Sequence, residues 1–177
     1  YPTAIGETIF TTGDFAGFMP GADAASLAPR KGFGPLPQGQ ARFKGFHNAG
    51  RSVVVRWEVG GVAVDETAEV VTANEVQFVV RTLEVGASAK GLTILLGRSA
   101  DAARIVTLGA AKVDALDGHA VARIAPSTVV SLVRIAYLPG GVPLPASFDT
   151  DIPSSLLKIA KVLWPETVET AGKLSDK

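Results

Sequence analysis

Ser52-Val53-Val54-Val55-Arg56-Trp57-Glu58-Val59-Gly60-Gly61-Val62-Ala63-Val64 decides the fold. Period two puts Val53, Val55, Trp57 and Val59 on one face, with Arg56 and Glu58 on the other. Successive side chains of a strand point to opposite sides, so this is the pattern of a half-buried strand. Gly60-Gly61 then reads as a tight turn, because two-residue hairpin loops demand positive φ. Val62–Thr67 is the returning strand.

Working outward, the same pattern recurs. Val76–Val85 and Leu92–Leu96 are further strands, interrupted by Gly86 and Gly91. Ala110–Leu116 and His119–Ala125 flank Asp117-Gly118, the strongest hairpin signal in the chain, and Val129–Tyr137 follows. Strands at short intervals predict an all-β fold, a β-sandwich or barrel, with an antiparallel β-sandwich the expected form. Val53, Val55, Trp57, Val59, Ile94, Leu96, Val121, Val133 and Ile135 are its expected core or half-buried residues. The sandwich is expected over residues 41–150. An irregular arm precedes it over 1–40, where Gly and Pro recur between Phe10, Phe15, Phe18 and Phe33. Residues 151–177 read as a C-terminal helix or linker. There Leu156, Ile159, Ala160 and Leu163 fall at helical spacing, Ser154 can cap, and Trp164-Pro165 ends the helix.

Composition narrows the function. Seventeen basic and seventeen acidic residues cancel, and no basic cluster exceeds Arg30-Lys31. A nucleic-acid or anionic-membrane partner needs concentrated positive charge, so neither is expected. The chain has no cysteine, which excludes disulfides, thiolate zinc sites, thiol nucleophiles and Cys-based haem attachment. No apolar run approaches the roughly 20 residues of a membrane span. The chain opens at Tyr1 without a leader pattern, and we read it as a piece of a longer polypeptide.

No catalytic constellation stands out. Gly-x-Ser-x-Gly and both phosphate-binding glycine patterns are absent. His47 and His119 lie seventy-two positions apart; each reads most simply as a turn histidine, with a shared metal or acid–base site as the sharper alternative. Asp149 and Asp151 offer two oxygens to calcium, but Asx turns before Pro153 explain them at lower cost. Trp57 reads as core rather than as a sugar-stacking platform. Trp164, beside proline in the tail, reads as a contact with another domain. The candidate ligand-binding residues are therefore His47, His119 and Trp57. Phe10, Phe15, Phe18 and Trp164 are the candidate interaction surface. No cofactor or metal is expected in this chain.

A family resemblance adds context. Gly34-Pro35-Leu36-Pro37, Arg42-Phe43-Lys44-Gly45-Phe46, Gly50-Arg51-Ser52-Val53-Val54-Val55, Arg81-Thr82-Leu83-Glu84-Val85-Gly86, Asp117–Ile124 and Trp164–Thr170 occur in that order. Together they resemble an uncharacterised domain of large exported bacterial proteins. In those proteins the domain precedes a β-propeller resembling sugar dehydrogenases, often followed by a c-type cytochrome domain. The resemblance departs at Leu157–Leu163, where the family has a Gly/Pro-rich stretch. It implies a periplasmic or extracellular, non-catalytic accessory or docking module, with a neighbouring domain or another subunit as partner. Two other classes stay open: a carbohydrate-binding or carbohydrate-active sandwich, and a structural subunit of an assembly.

Overall fold

Two tight turns show how the local sequence sets the strand pairing. Gly60 and Gly61 have φ of 57° and 84°, and Asp117 and Gly118 have φ of 48° and 73°. Residues flanking each turn pair directly, Val59 with Val62 and Leu116 with His119. Positive φ at both central positions is the type I′ geometry, whose twist matches that of the strands. The Asp117-Gly118 hairpin is as the sequence predicts.

The structure is a computed structural model, and it describes residues 15–27, 39–49, 52–73, 75–98, 104–138, 143 and 148. Ten strands follow in order: β1 (Phe18–Pro20), β2 (Ala41–Ala49), β3 (Ser52–Val59), β4 (Val62–Ala73), β5 (Val76–Val85), β6 (Leu92–Arg98), β7 (Ile105–Gly109), β8 (Ala111–Leu116), β9 (His119–Ile124) and β10 (Ser131–Tyr137). They form a four-stranded sheet, β1-β6-β9-β8, and a six-stranded sheet, β2-β3-β4-β5-β10-β7. Every ladder is antiparallel. The two sheets pack as a β-sandwich, the expected fold class. Among the described residues no helix is long and apolar enough to cross a membrane.

Between the sheets lies one apolar cluster, including Val59, Val64, Leu83, Leu92, Ile94, Leu96, Ile124, Val133 and Ile135. Two satellites sit outside it. On the outer face of the larger sheet Phe148 joins Phe78, Val80, Ala136 and Leu138. Arg134 fastens it there, donating to the Phe148 carbonyl at 2.8 Å and stacking on its ring at 4.6 Å. On the outer face of the smaller sheet residues 15–27 cover Leu95 and Val121 with Met19 and Leu27.

Several expectations need correcting. The stretch read as an irregular arm contains β1, which pairs with β6 through Phe18, Met19 and Pro20, so the sandwich reaches N-terminal of residue 41. β2 and β7 were not anticipated, and the strand expected from Val129 begins at Ser131, leaving Val129 and Val130 exposed. Val53 is 47% exposed rather than core or half-buried, whereas Val55 and Trp57 are half-buried, within the expectation. The reason is geometric. β1, the described strand of the smaller sheet that meets this side, is only three residues long, so the Ala41 and Val59 ends of β2 and β3 are covered while the Phe46 and Val53 ends overhang it. The face opposite Val53 has burial of its own, since Val54 is 2% exposed. Ile94, Leu96, Val121, Val133, Ile135 and Val59 are buried as expected. The proposed helix over Ser154–Leu163 lies outside the described residues.

Candidate functional site

The overhang is the candidate functional surface. In antiparallel pairs, directly opposed side chains share a face. Phe43 opposes Trp57, Phe46 opposes Val55, and Val55 opposes Glu66. Further along the same face of β4 come Ala68 and Val70, the latter opposite Val79. Val53 lies on this face too, two positions before Val55. Phe43, Phe46, Val53 and Val70 are four of the seven large apolar side chains exposed among the described residues. Phe43 and Phe46 are 58% and 66% exposed. Gathering exposed apolar groups on one sheet face is unusual for a surface meant only for water.

The edge of that face is blunted. β2 is the outermost strand, and its pairing with β3 shifts register between Phe43 and Gly45, a β-bulge. Lys44 stands at the bulge and pairs with Glu58 at 3.4 Å. A bulge and a lysine are two devices by which edge strands resist pairing with other strands. The open surface is thus the face and not the edge.

A diagonal line of polar side chains borders this face. The Trp57 indole N–H donates to Glu66 Oε2 at 3.1 Å. Arg81 Nε–H donates to Glu66 Oε1 at 2.6 Å, and another Arg81 N–H donates to the Tyr137 hydroxyl at 3.0 Å. The four residues come from β3, β4, β5 and β10, stepping across the sheet between dry neighbours such as Val64, Leu83 and Ile135. Burial pulls the Arg81 pKa down, but Glu66 and Tyr137 outweigh it, so the guanidinium is held above its ordinary value. Burial is also the chief cause raising Tyr137, which therefore stays a neutral phenol beyond the ordinary range.

Trp57 joins this line to the aromatic rings. Its ring lies 5.7 Å from Phe43 in a T-shaped arrangement and 5.7 Å from Phe18 at a 45° tilt. Phe18 is a core residue at 6% exposure, so the three rings run from the interior to the surface. Phe15 is half-buried and meets His119 edge-on at 5.0 Å. Phe10 and Trp164, also singled out from the sequence, lie outside the described residues.

The two histidines are not brought together. His47 is exposed on β2 in the larger sheet, opposite Val54. His119 opens β9 in the smaller sheet, with Nδ1 2.8 Å from the Asp117 carbonyl. Three other carboxylates that could serve as ligands or acid–base groups have structural partners. Asp65 takes two hydrogen bonds from Arg56, Asp114 accepts from Arg123, and Asp117 accepts from the Leu27 N–H. Among the described residues no group of three or more His, Cys, Asp or Glu is placed to hold a metal ion. Asp149 and Asp151 lie outside the described residues.

Sequence reading did not single out Phe43, Phe46, Arg81 or Tyr137. One signal was available. Val79, Arg81, Leu83 and Val85 alternate onto the inward face of β5, and a charge at an inward position requires a partner. For Phe43 and Phe46 no such signal exists, because exposure depends on which strands the smaller sheet covers.

Residues 1–66 match the model of a family described as "Domain of unknown function (DUF6797)". The matched stretch holds β1, β2, β3 and part of β4, and with them Phe18, Phe43, Phe46, Trp57 and Glu66. No curated protein and no solved structure matches the chain.

Proposed function

We propose that this chain is a non-catalytic docking module of a larger exported polypeptide, and that its working surface is the open β2–β3 face. The observation that carries the reading is the exposure of Phe43 and Phe46 beside Trp57, on a face whose edge is protected. Aromatic anchors on a rigid sheet suit protein recognition, since they contribute large area at little conformational cost. The occupant we propose is the adjoining domain of the same polypeptide, the redox β-propeller that the sequence resemblance implies. That resemblance also underlies the proposed periplasmic or extracellular location.

A sugar-binding reading would need exposed rings together with polar groups free to meet hydroxyls. The carboxylate on this face already holds Trp57 and Arg81. Docking is therefore favoured over sugar recognition.

The test is binding of the separately produced adjoining domain to the 177-residue chain by calorimetry. Both residues are more than half exposed, so the double variant F43S/F46S should leave the fold intact. It should weaken binding by about thirtyfold or more, the loss expected of two anchor residues. Undiminished binding by this variant would refute the assigned face.

A further inference from the structure

We infer that Glu66, Arg81 and Tyr137 are positioning residues that fix the Trp57 indole, and through it Phe43, on the open face. The inference deepens the docking reading and rests on it only where binding is measured.

Stability alone does not explain these residues. The Arg81 and Glu66 side chains are 7% and 14% exposed, on a face where Val64, Leu83, Val133 and Ile135 are fully buried. A buried ion pair gives up hydration on both partners, and replacing it with apolar groups of like size is often neutral or stabilising. Aliphatic residues at 66 and 81 would simply extend the dry core. What they could not do is hold an indole N–H.

The geometry runs in one direction. Tyr137, at the buried end, accepts from Arg81 at 3.0 Å. Arg81 sets one oxygen of Glu66 at 2.6 Å, which leaves the other aimed at Trp57 at 3.1 Å. Of the four, Trp57 is in ring contact with the exposed Phe43. A tryptophan side chain turns about a broad, soft terminal torsion, so an indole between two phenyl rings lacks a unique setting without its polar anchor. With the anchor in place, the ring meets Phe43 at 70°, the edge-to-face arrangement that aromatic quadrupoles favour. The line thus transmits a hydrogen-bond geometry from β10 to β3 across two intervening strands.

The experiment reads the indole directly. The full chain contains two tryptophans, and W57F assigns their two indole N–H signals in a proton–nitrogen spectrum. Y137F keeps the ring and removes only the hydroxyl. It should shift the Trp57 indole signal and speed its solvent exchange severalfold, although Tyr137 does not touch Trp57 by hydrogen bond. The double variant E66M/R81M removes both members of this ion pair together, and should fold while exchanging that proton about tenfold faster. If it fails to fold, Y137F carries the test alone. A merely structural role would move the melting temperature and leave the indole signal and its exchange unchanged; that result overturns the inference. Against the adjoining domain, E66M/R81M should bind severalfold more weakly than wild type. If wild type does not bind at all while the indole responds as described, the docking reading fails and the positioning role stands.

Discussion

The outer face of the smaller sheet and the overhang of the larger one began as the same problem and were resolved oppositely. Both present apolar side chains that the inter-sheet core does not absorb. Over Leu95 and Val121 the chain lays its own residues 15–27 and fastens them with polar bonds. Arg123 donates to the carbonyls of Ala22 and Ala24, Thr93 donates to that of Gly21, and Asp117 receives the Leu27 N–H. Over Phe43, Phe46 and Val53 exposure remains. An apolar face that the chain covers is core, whatever its distance from the centre. One left open beside a protected edge is the surface we propose for docking.

The largest expected effect comes from breaking the covered side. Leu95→Ala empties a site that is 1% exposed and should cost about 2–5 kcal/mol. Phe43→Ala on the open side should cost well under about 1 kcal/mol in the isolated chain. Chemical denaturation of both variants checks the contrast, and equal losses would erase it.

Arg123→Ala sharpens the same contrast at smaller scale. It removes two bonds to the arm and one to Asp114, and should lower stability by about 1–3 kcal/mol. Hydrogen exchange should rise across residues 15–27 and leave β2 unaffected. Spread of the effect to β2 would mean that the arm also supports the open face.

Alkaline pH should act through Tyr137. Burial raises its folded-state value above the ordinary 10.0, so the folded chain keeps this proton longer than the unfolded one does. The corresponding stability is fully present below about pH 10 and is lost as pH rises through the folded value. Y137F should flatten that alkaline limb in melting experiments; an unchanged slope would show that other groups govern it.

The smallest effect is expected at Asp114, on the surface side of the arm's anchor. Its hydrogen bond from Arg123, helped by the Ala115 N–H, holds it below 3.8. The contribution is present above that value and fades as pH falls through the lower, folded one. D114N should therefore slightly flatten the acid limb and slightly lower stability near neutrality, where the wild-type contribution is fully present.

Much of this architecture was legible in residue order. β3 and β5 have the bounds that their alternation and flanking glycines predict, and Asp117-Gly118 announced its turn. β1 was hidden because three residues between Gly17 and Gly21 carry no period, and Phe18 is a strand residue only through its pairing with Ile94. The site was less legible. Trp57 reads as core in the sequence, and its position between core and surface follows from where the three-residue β1 ends, with Phe18 on one side of the indole and Phe43 on the other. Arg81 sat inside a β-branched run whose charge had no partner visible nearby in sequence. Its partners Glu66 and Tyr137 lie fifteen and fifty-six residues away. Long-range register assembled the line, and local pattern does not report register between distant strands.

The central claim is that Phe43 and Phe46 meet another domain. Hydroxyl-radical footprinting measures solvent access to phenylalanine rings directly, in the 177-residue chain and in the longer polypeptide that the resemblance implies. The account predicts strong labelling of both rings in the isolated chain and marked protection of both in the longer protein, with Phe18 shielded in each. Equal labelling of Phe43 and Phe46 in the two proteins would contradict it.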